Sequence, residues 1–376
     1  MSKTKISTKT SCILWGKSAG RCAKCNKILY TDSNTLKSLN LADIAHNIAD
    51  NPGGSRGDKE KSGKLANDIF NLLLLCKECH KEIDDDPISY TVEKLHEIKS
   101  SHERDIEFLT SFVNSRKSHI ITYVCNISYQ RNPVDLEQAA NALFKNGYRP
   151  ATTNGIDLSL SGSAITDRDE KFWQNEKTNL VSTFNRDIRD RITKTGDIKH
   201  VSLFALAPIP LLIKLGTLFT DKIPVEVYQK HREPDTWEWL NVQKIEYKLE
   251  KLRNTGSNIA LILSLSGQIS CDDVKRILGD DVSIWEINID NPNNDFIKSK
   301  QHVDGFRLII RKAFNEIKKC HGADEPISVF PAIPISAAIE VGRVWMPKAD
   351  LPLIIYDRNR DANLKFMKAL TIGGET

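Results

Sequence analysis

The chain has 376 residues, 40% of them hydrophobic and 27% charged, with eight cysteines and a net charge of +4. That length allows two or more domains, each with its own core, and the composition excludes the disordered, collagen-like and disulfide-stapled classes. No run of about 18 uncharged apolar residues occurs, and the polar, basic stretch Met1–Lys9 lacks the apolar segment of a secretory signal, so the expectation is a cytoplasmic protein with no membrane partner. The positive excess lies at the N-terminal end: 19 Lys and Arg stand against 16 Asp and Glu in residues 1–119, and 34 against 33 in the remainder. This suits a phosphate-bearing partner, as it suits many enzymes.

Residues 17–86 are dense in Cys and His. Cys22, Cys25, Cys76 and Cys79 form two C-x-x-C pairs separated by 50 residues. Each pair offers two thiolates from a tight turn, and two pairs complete the tetrahedral all-sulfur site of structural Zn2+. Cys12, Cys125, Cys271 and Cys320 are scattered and read as packing residues. Between the pairs, Asp50–Gly63 is polar, charged and Gly-rich; it reads as a mobile loop and a candidate substrate clamp. The apolar run Ile69–Leu75 delivers the second cysteine pair. From Tyr90 to Asn114, Val92, Leu95, Ile98, Ile106 and Leu109 mark a helix leading out of a first domain, with a boundary at Ser115–Ser118. The expected division is residues 1–118 and 119–376.

The sequence Asp43-Ile-Ala-His46 is followed after 24 residues by Asn71, and Asn71 after eight residues by His80, which directly follows Cys79. With the block NLLLLCKECHKEID, this order and spacing resembles the HNH endonucleases, whose ββα-metal core carries His, Asn and His and is often braced by a four-cysteine zinc. The long gap from His46 to Asn71 departs from the usual pattern. The resemblance implies an α+β nuclease domain that cleaves phosphodiesters. A neutral imidazole is a suitable general base, which assigns His46 to the attacking water. His80 is the best ligand for a catalytic divalent ion, with Asp43 as its carboxylate partner and Asp84, four residues after His80, as runner-up. Mg2+ is the default ion, and an imidazole ligand also admits Mn2+, Ni2+ or Zn2+. Asn71 orients the His46 loop, as the resemblance implies. Lys17, Arg21, Lys24, Lys27, Arg56, Lys59, Lys61 and Lys64 are available to grip a DNA backbone, although any one of them is more often a solvated surface charge.

Beyond His119 the pattern alternates. Strands are expected at Ile120–Ile127, His200–Leu206, Val225–Tyr228, Ile259–Leu265, Ile284–Ile289, Ile327–Phe330 and Leu353–Tyr356, several of them continuous apolar runs. Helices are expected at Phe172–Ile192 and Phe306–Lys319. This is an α/β arrangement with mostly parallel sheets. It also contains a repeat. Leu203–Phe219 laid on Val329–Trp345 matches Phe204 with Phe330, Pro208 with Pro334 and Gly216 with Gly342, at an offset of 126. With two more residues, Pro224 meets Pro352 and Tyr228 meets Tyr356. A duplicated Rossmann-like half, about 119–250 and 251–376, explains the match.

In such sheets ligands sit beyond the strand C-termini, near helix N-termini that suit phosphates. Both repeats place a Pro turn there, so two facing helix starts are expected to cradle a ligand with two or more phosphates. Strand-end logic names Gln130, Arg131, Pro208, Lys230, Arg232, Trp237, Pro334, Ser336, Tyr356 and Arg358 as candidate contacts, although core packing is at least as common a role for Trp237 and Tyr356. The segments HVSLFALAPIPLLIKLG, VEVYQKHREPDTWEW and VFPAIPISAAIEVGRVWMPKADLPLIIYDRN resemble the SAVED domain, a tandem CARF-like sensor of cyclic oligonucleotides. With the first domain, the chain resembles the HNH–SAVED effectors of the cyclic-oligonucleotide antiphage systems (CBASS). That resemblance implies activation by a cyclic di- or trinucleotide, association into homo-oligomers (a dimer, and larger assemblies on activation) and degradation of double-stranded DNA with little sequence choice. Two other functions fit the same residues: a zinc-stabilised DNA-binding regulator that does not cleave, and a constitutive restriction-type HNH nuclease that reads modified DNA.

Overall fold

A computed structural model describes residues 4–111, 116–125, 133–159, 170–219, 223–254, 256–358 and 365–374. The chain divides into two compact units, Met1–Asn114 and Ser115–Thr376.

In the first unit, helix α1 (Thr8–Lys17) begins at Ser7, whose Oγ accepts from the Thr10 N–H at 3.1 Å. Strand β1 (Ala42–His46) then pairs antiparallel with β2 (Leu72–Cys76), in register Ala42 with Cys76 and His46 with Leu72. All five residues of β2 are buried, which explains the unbroken leucine run: no face of this strand meets water. Cys76 caps helix α2 (Lys77–Asp85), its Sγ accepting from the Cys79 N–H at 3.4 Å. The result is a strand, strand, helix unit. Helix α3 (Val92–Ser111) follows, close to the expected span.

The second unit holds two sheets. The first half runs β3 (Arg116–Val124), α4 (Leu136–Lys145), β4 (Tyr148–Pro150), β5 (Ile156–Asp157), α5 (Glu170–Phe184), a π-helical turn Asn185–Arg189, α6 (Asp190–Thr193), β6 (Val201–Leu206), α7 (Ile209–Leu218) and β7 (Val225–Val227). The second runs β8 (Lys248–Arg253), β9 (Asn258–Ser264), α8 (Cys271–Leu278), β10 (Val282–Asn288), α9 (Lys300–His321), β11 (Ile327–Ala332), α10 (Ile335–Val344), β12 (Leu353–Arg358) and β13 (Phe366–Ile372). The strand β3 starts at Arg116, so the division of the chain falls a few residues before the expected Ser118. Likewise β8 spans the expected boundary at residue 250 and belongs with the second sheet, because it pairs antiparallel with β10.

The parallel cores of the two sheets have one topology. The first is ordered β4-β3-β6-β7 and the second β10-β9-β11-β12, with β13 and β8 added antiparallel at the edges. The repeat reaches side-chain detail. Phe204 stacks on Tyr228 at 4.4 Å and meets Trp237 edge-on at 5.2 Å, while Phe330 stacks on Tyr356 at 4.5 Å and meets Phe366 edge-on at 5.3 Å. Helices α7 and α10 cross at their paired glycines. A Cβ on Gly216 would lie 2.0 Å from the Ile339 carbonyl oxygen, and one on Gly342 would lie 1.9 Å from that of Ile213. Ile213 and Ile339 stand 126 apart, the offset of the repeat, so the contact is reciprocal, like that of a two-fold interface.

Candidate functional site

Two places gather chemistry, one in each unit. In the first unit the four cysteines meet. Cys22 and Cys25 sit on a knuckle in which the Asn26 N–H bonds the Cys22 carbonyl at 2.9 Å, with Asn26 at φ +60°. The Ala23 N–H donates to the Leu74 carbonyl at 2.9 Å, which fastens the knuckle to β2. The four Sγ atoms all lie within 4.8 Å of one another, and Cys25 Sγ stands 3.8 Å from Cys76 Sγ. A tetrahedral ion with Zn–S bonds of about 2.3 Å has sulfur–sulfur edges of about 3.8 Å, so the donor set and its spacing fit zinc. Burial pushes the Cys25 and Cys79 thiols up, whereas at Cys22 burial is outweighed by backbone N–H donors, which hold it below the usual thiol range. An ion bound there would displace protons from the raised thiols.

Next to this cluster lies the polar site. Asp43 on β1 and His80 on α2 approach to 3.2 Å, carboxylate oxygen to Nδ1. On the other edge of the ring, Nε2 stands 3.4 Å from Asp84 Oδ2. His46 ends β1, with its Nε2 3.1 Å from the Ala66 carbonyl oxygen. A carbonyl only accepts, so Nε2 carries the proton and Nδ1 of the neutral ring keeps its lone pair; Nδ1 has no partner among the described residues. Asn71 is buried. It accepts from the Ile48 N–H at 2.8 Å and donates to the carbonyls of Ile48 and Leu65 at 3.0 and 3.1 Å. It thereby clamps the segment that follows His46.

The basic residues named from the sequence separate into two groups. Lys17, Lys24 and Lys27 pair with Glu103, Glu82 and Glu78, and Arg21 donates to the Asn26 carbonyl. The Arg56 side chain is buried and spends its donors inside the unit. Lys59, Lys61 and Lys64 are exposed on one short segment, without an ion-pair partner among the described residues. The Gly-rich stretch, expected as a mobile loop and candidate substrate clamp, is a compact run of turns. A Cβ on Gly57 would lie 2.3 Å from the Pro52 carbonyl oxygen, and Ser62 Oγ donates to the Ala49 carbonyl at 2.6 Å, so the chain there is folded back on itself.

In the second unit a cavity of about 610 Å³ opens at the C-terminal ends of β6 and β7. Of the residues expected there, Lys230, Arg232, Trp237 and Pro334 line it. Lys230 Nζ is held at 2.9 Å from Gln138 Oε1 and 2.7 Å from Asp235 Oδ1, and it lies 5.7 Å from the Trp237 ring centre. Arg232 is exposed and has no partner among the described residues. Pro208, Ser336, Tyr356 and Arg358 do not line the cavity. The Tyr356 ring is taken by Phe330 in the second-half core, and Ser336 is fully buried. Gln130 and Arg131 lie outside the described residues.

The expected cradle of two free helix starts is not formed. The α7 start contains Pro208 and Pro210, which have no N–H to offer. At the matching place on α10, the Ser336 N–H and Oγ both donate to Gln229 Oε1, at 3.1 and 2.7 Å. Among the described residues, the cationic side chains on the cavity wall are Lys230 and Arg232. Sequence reading missed Gln138, Gln229 and Asn294, single polar residues without a motif that only the fold brings to the wall.

A family model described as "SMODS-associated and fused to various effectors sensor domain", SAVED, matches residues 183–372. The chain belongs to the SAVED family. The SAVED match takes in β6 to β13 and thus both copies of the reciprocal α7–α10 contact. Among solved structures, the chain is similar to the Cap4 SAVED/CARF-domain containing receptor of Acinetobacter baumannii with the cyclic trinucleotide 2'3'3'-cAAA (12% identity, TM-score 0.45, covering 84% of this chain and 67% of that one). It is similar to the same receptor with 3'3'3'-cAAA (11% identity, TM-score 0.43, 85% and 68%), and to the Cap4 receptor of Moraxella osloensis (12% identity, TM-score 0.40, 79% and 60%). No curated protein matches the chain. Among the described residues, no helix is long and apolar enough to cross a membrane.

Proposed function

We propose that this chain is a ligand-gated DNA endonuclease of antiphage defence. Its first unit is an HNH nuclease acting on double-stranded DNA with little sequence choice, and its SAVED unit is the receptor for a cyclic di- or trinucleotide. The observation that carries the nuclease reading is the His80 ring set 3.2 Å from Asp43 on a strand, strand, helix unit that also holds His46 in one tautomer. An octahedral ion with ligands at about 2.1 Å has neighbouring ligand atoms about 3.0 Å apart, so the Asp43 and His80 pair fits a small divalent cation, with Mg2+ as the default. Such an ion, when bound, supplies relief of charge on the phosphate and at the leaving oxygen. Nδ1 of His46 takes the proton of the attacking water. Asn71 holds the loop that sets where His46 stands. Lys59, Lys61 and Lys64 meet DNA phosphates without reading bases. Zinc on the four cysteines holds the knuckle to the strand pair.

On the sensor side, support comes from the family and from the cavity, whose size suits a compact nucleotide and whose wall offers Arg232 and Lys230 to phosphates and Trp237 to a base. The similar Acinetobacter baumannii receptor is seen with two different cyclic trinucleotides. Gating requires that the ligand prefer the active state, which is a homo-oligomer in this reading, by several kcal/mol.

The test is plasmid digestion by the purified chain with Mg2+ and a panel of cyclic nucleotides. One member of the panel is expected to trigger degradation, and His46→Ala to abolish it while ligand binding persists. DNA binding without cutting under every condition would favour the regulator, and digestion that needs no small molecule but follows DNA methylation would favour the restriction-type enzyme.

A further inference from the structure

We infer that Arg56 and Asp84 are a positioning pair that fixes the His80 imidazole and ties the segment after His46 to the helix carrying His80. This rests on the nuclease reading above, and it removes Asp84 from the ligands of the catalytic ion.

The His80 ring faces two carboxylates on opposite edges, Asp43 at Nδ1 and Asp84 at Nε2. A neutral ring has one proton and cannot serve both: without an ion the hydrogen bond is the one from Nδ1 to Asp43, and an ion that took the Nδ1 lone pair and the Asp43 oxygen would move the proton to Nε2, which faces Asp84 at 3.4 Å. A carboxylate behind a ligating imidazole fixes the tautomer and the plane of the ring and makes it a better donor.

Asp84 is in turn held. Its Oδ1 accepts from Arg56 Nη2 at 2.9 Å, while Oδ2 faces His80. The other donors of Arg56 go to two backbone carbonyls, Nη1 to Ile83 at 2.6 Å and Nε to Asn47 at 3.1 Å. Ile83 lies in the last turn of α2 and Asn47 directly follows His46, so one guanidinium spans the supports of both histidines. Ser55 Oγ adds a bond to the Asp84 carbonyl at 3.1 Å. Residues 55 and 56 thus satisfy carbonyls at the end of α2 that the helix itself leaves unpaired, and a cation there also suits the helix dipole. The Arg56 side chain is 5% exposed, and its backbone is in the left-handed region at φ +58°. That conformation is costly for a non-glycine residue and persists only where its surroundings hold it. A residue committed in this way does not reach for DNA.

The experiment is titration of the full-length, zinc-loaded chain with Mn2+ by calorimetry, alongside zinc content, melting temperature and DNA cleavage. Asp84→Asn and Arg56→Lys are each expected to weaken Mn2+ binding about 10- to 100-fold, the usual cost of losing an outer partner of a ligating histidine. Zinc content and melting are expected to hold, and the double variant to fall little below either single one. Arg56→Ala is avoided because it strips the end of α2 of its bonds. Unchanged Mn2+ affinity in both variants would overturn the inference. So would abolished binding in Asp84→Asn with full binding in Arg56→Lys, the result expected if Asp84 ligated the ion directly. Wild-type protein that neither binds Mn2+ nor cuts DNA with any activator would instead overturn the nuclease reading.

Discussion

The two units are built by opposite strategies. The second buries long apolar strands between helices, and it does so twice, so each half repeats the other's solution down to a stacked pair of rings. The first has a small buried cluster, in which Cys22, Cys76 and Cys79 take places that aliphatic side chains would otherwise fill. What a large core does for the SAVED unit, a four-sulfur cluster and a mesh of polar contacts around Asn71 and Arg56 must do for the other. The difference teaches where each unit would be vulnerable: the first, with the proposed zinc in place, to withdrawal of an ion, and the second to added volume.

Removing the ion sharpens this contrast most. Chelation, or Cys76→Ser, is expected to abolish the cooperative melting of the first unit, since metal affinity at such sites is folding free energy of order 10 kcal/mol. The transition of the SAVED unit is expected to persist. Scanning calorimetry paired with elemental analysis checks both, and a chain that holds no zinc and melts the same with chelator would break the comparison.

Adding volume is the converse test. Gly342→Ala and Gly216→Ala each force a methyl against a carbonyl of the partner helix. Each is expected to cost the SAVED unit about 3 kcal/mol, more than the roughly 1 kcal/mol that alanine gains over glycine in a helix. Because the contact is reciprocal, the two losses should be alike in urea unfolding. A marked inequality would mean that one half carries the contact.

A third test concerns pH. Burial, with the nearby charges of Lys300 and Arg116, pulls His200 down to about 4 from the ordinary 6.5, and its ring is stacked on Tyr148 at 4.1 Å. Between those values the unfolded chain takes up a proton that the folded unit refuses. The contribution of His200 is therefore complete above about pH 6.5 and lost as pH falls through about 4. The melting temperature of the SAVED unit should drop over that window, and drop less in His200→Gln. Equal slopes in the two proteins would remove His200 from the account.

Much of this was legible before any coordinates. Strands buried on both faces announce themselves as apolar runs, so β6, β9, β10, β11 and β12 stand close to where the sequence puts them. The edge strand β8 does not. It reads Lys-Leu-Glu-Lys-Leu-Arg and is largely exposed, and the charges that hide it from a hydrophobicity reading also protect a sheet edge from unwanted pairing. The cysteine and histidine spacing is local and therefore visible. Arg56 was not, because a basic residue in a Gly-rich stretch looks like surface until its fork is seen to join two backbone carbonyls and a carboxylate. The cavity wall was half visible for a similar reason: Lys230 and Trp237 follow a recognisable strand, whereas Gln138 and Asn294 come from distant segments.

The duplication is not perfect where it matters for an occupant. Ser336, with its hydroxyl and amide turned to Gln229, stands opposite a proline at the corresponding turn of the other copy. A receptor with two equal ends would accept a guest in either of two reversed poses at the same energy. The cavity wall differs as well, with Lys230, Arg232 and Trp237 from the first half and Ser266, Asn294 and Pro334 from the second, so a guest of the proposed receptor would meet unlike atoms from two halves that are alike in fold.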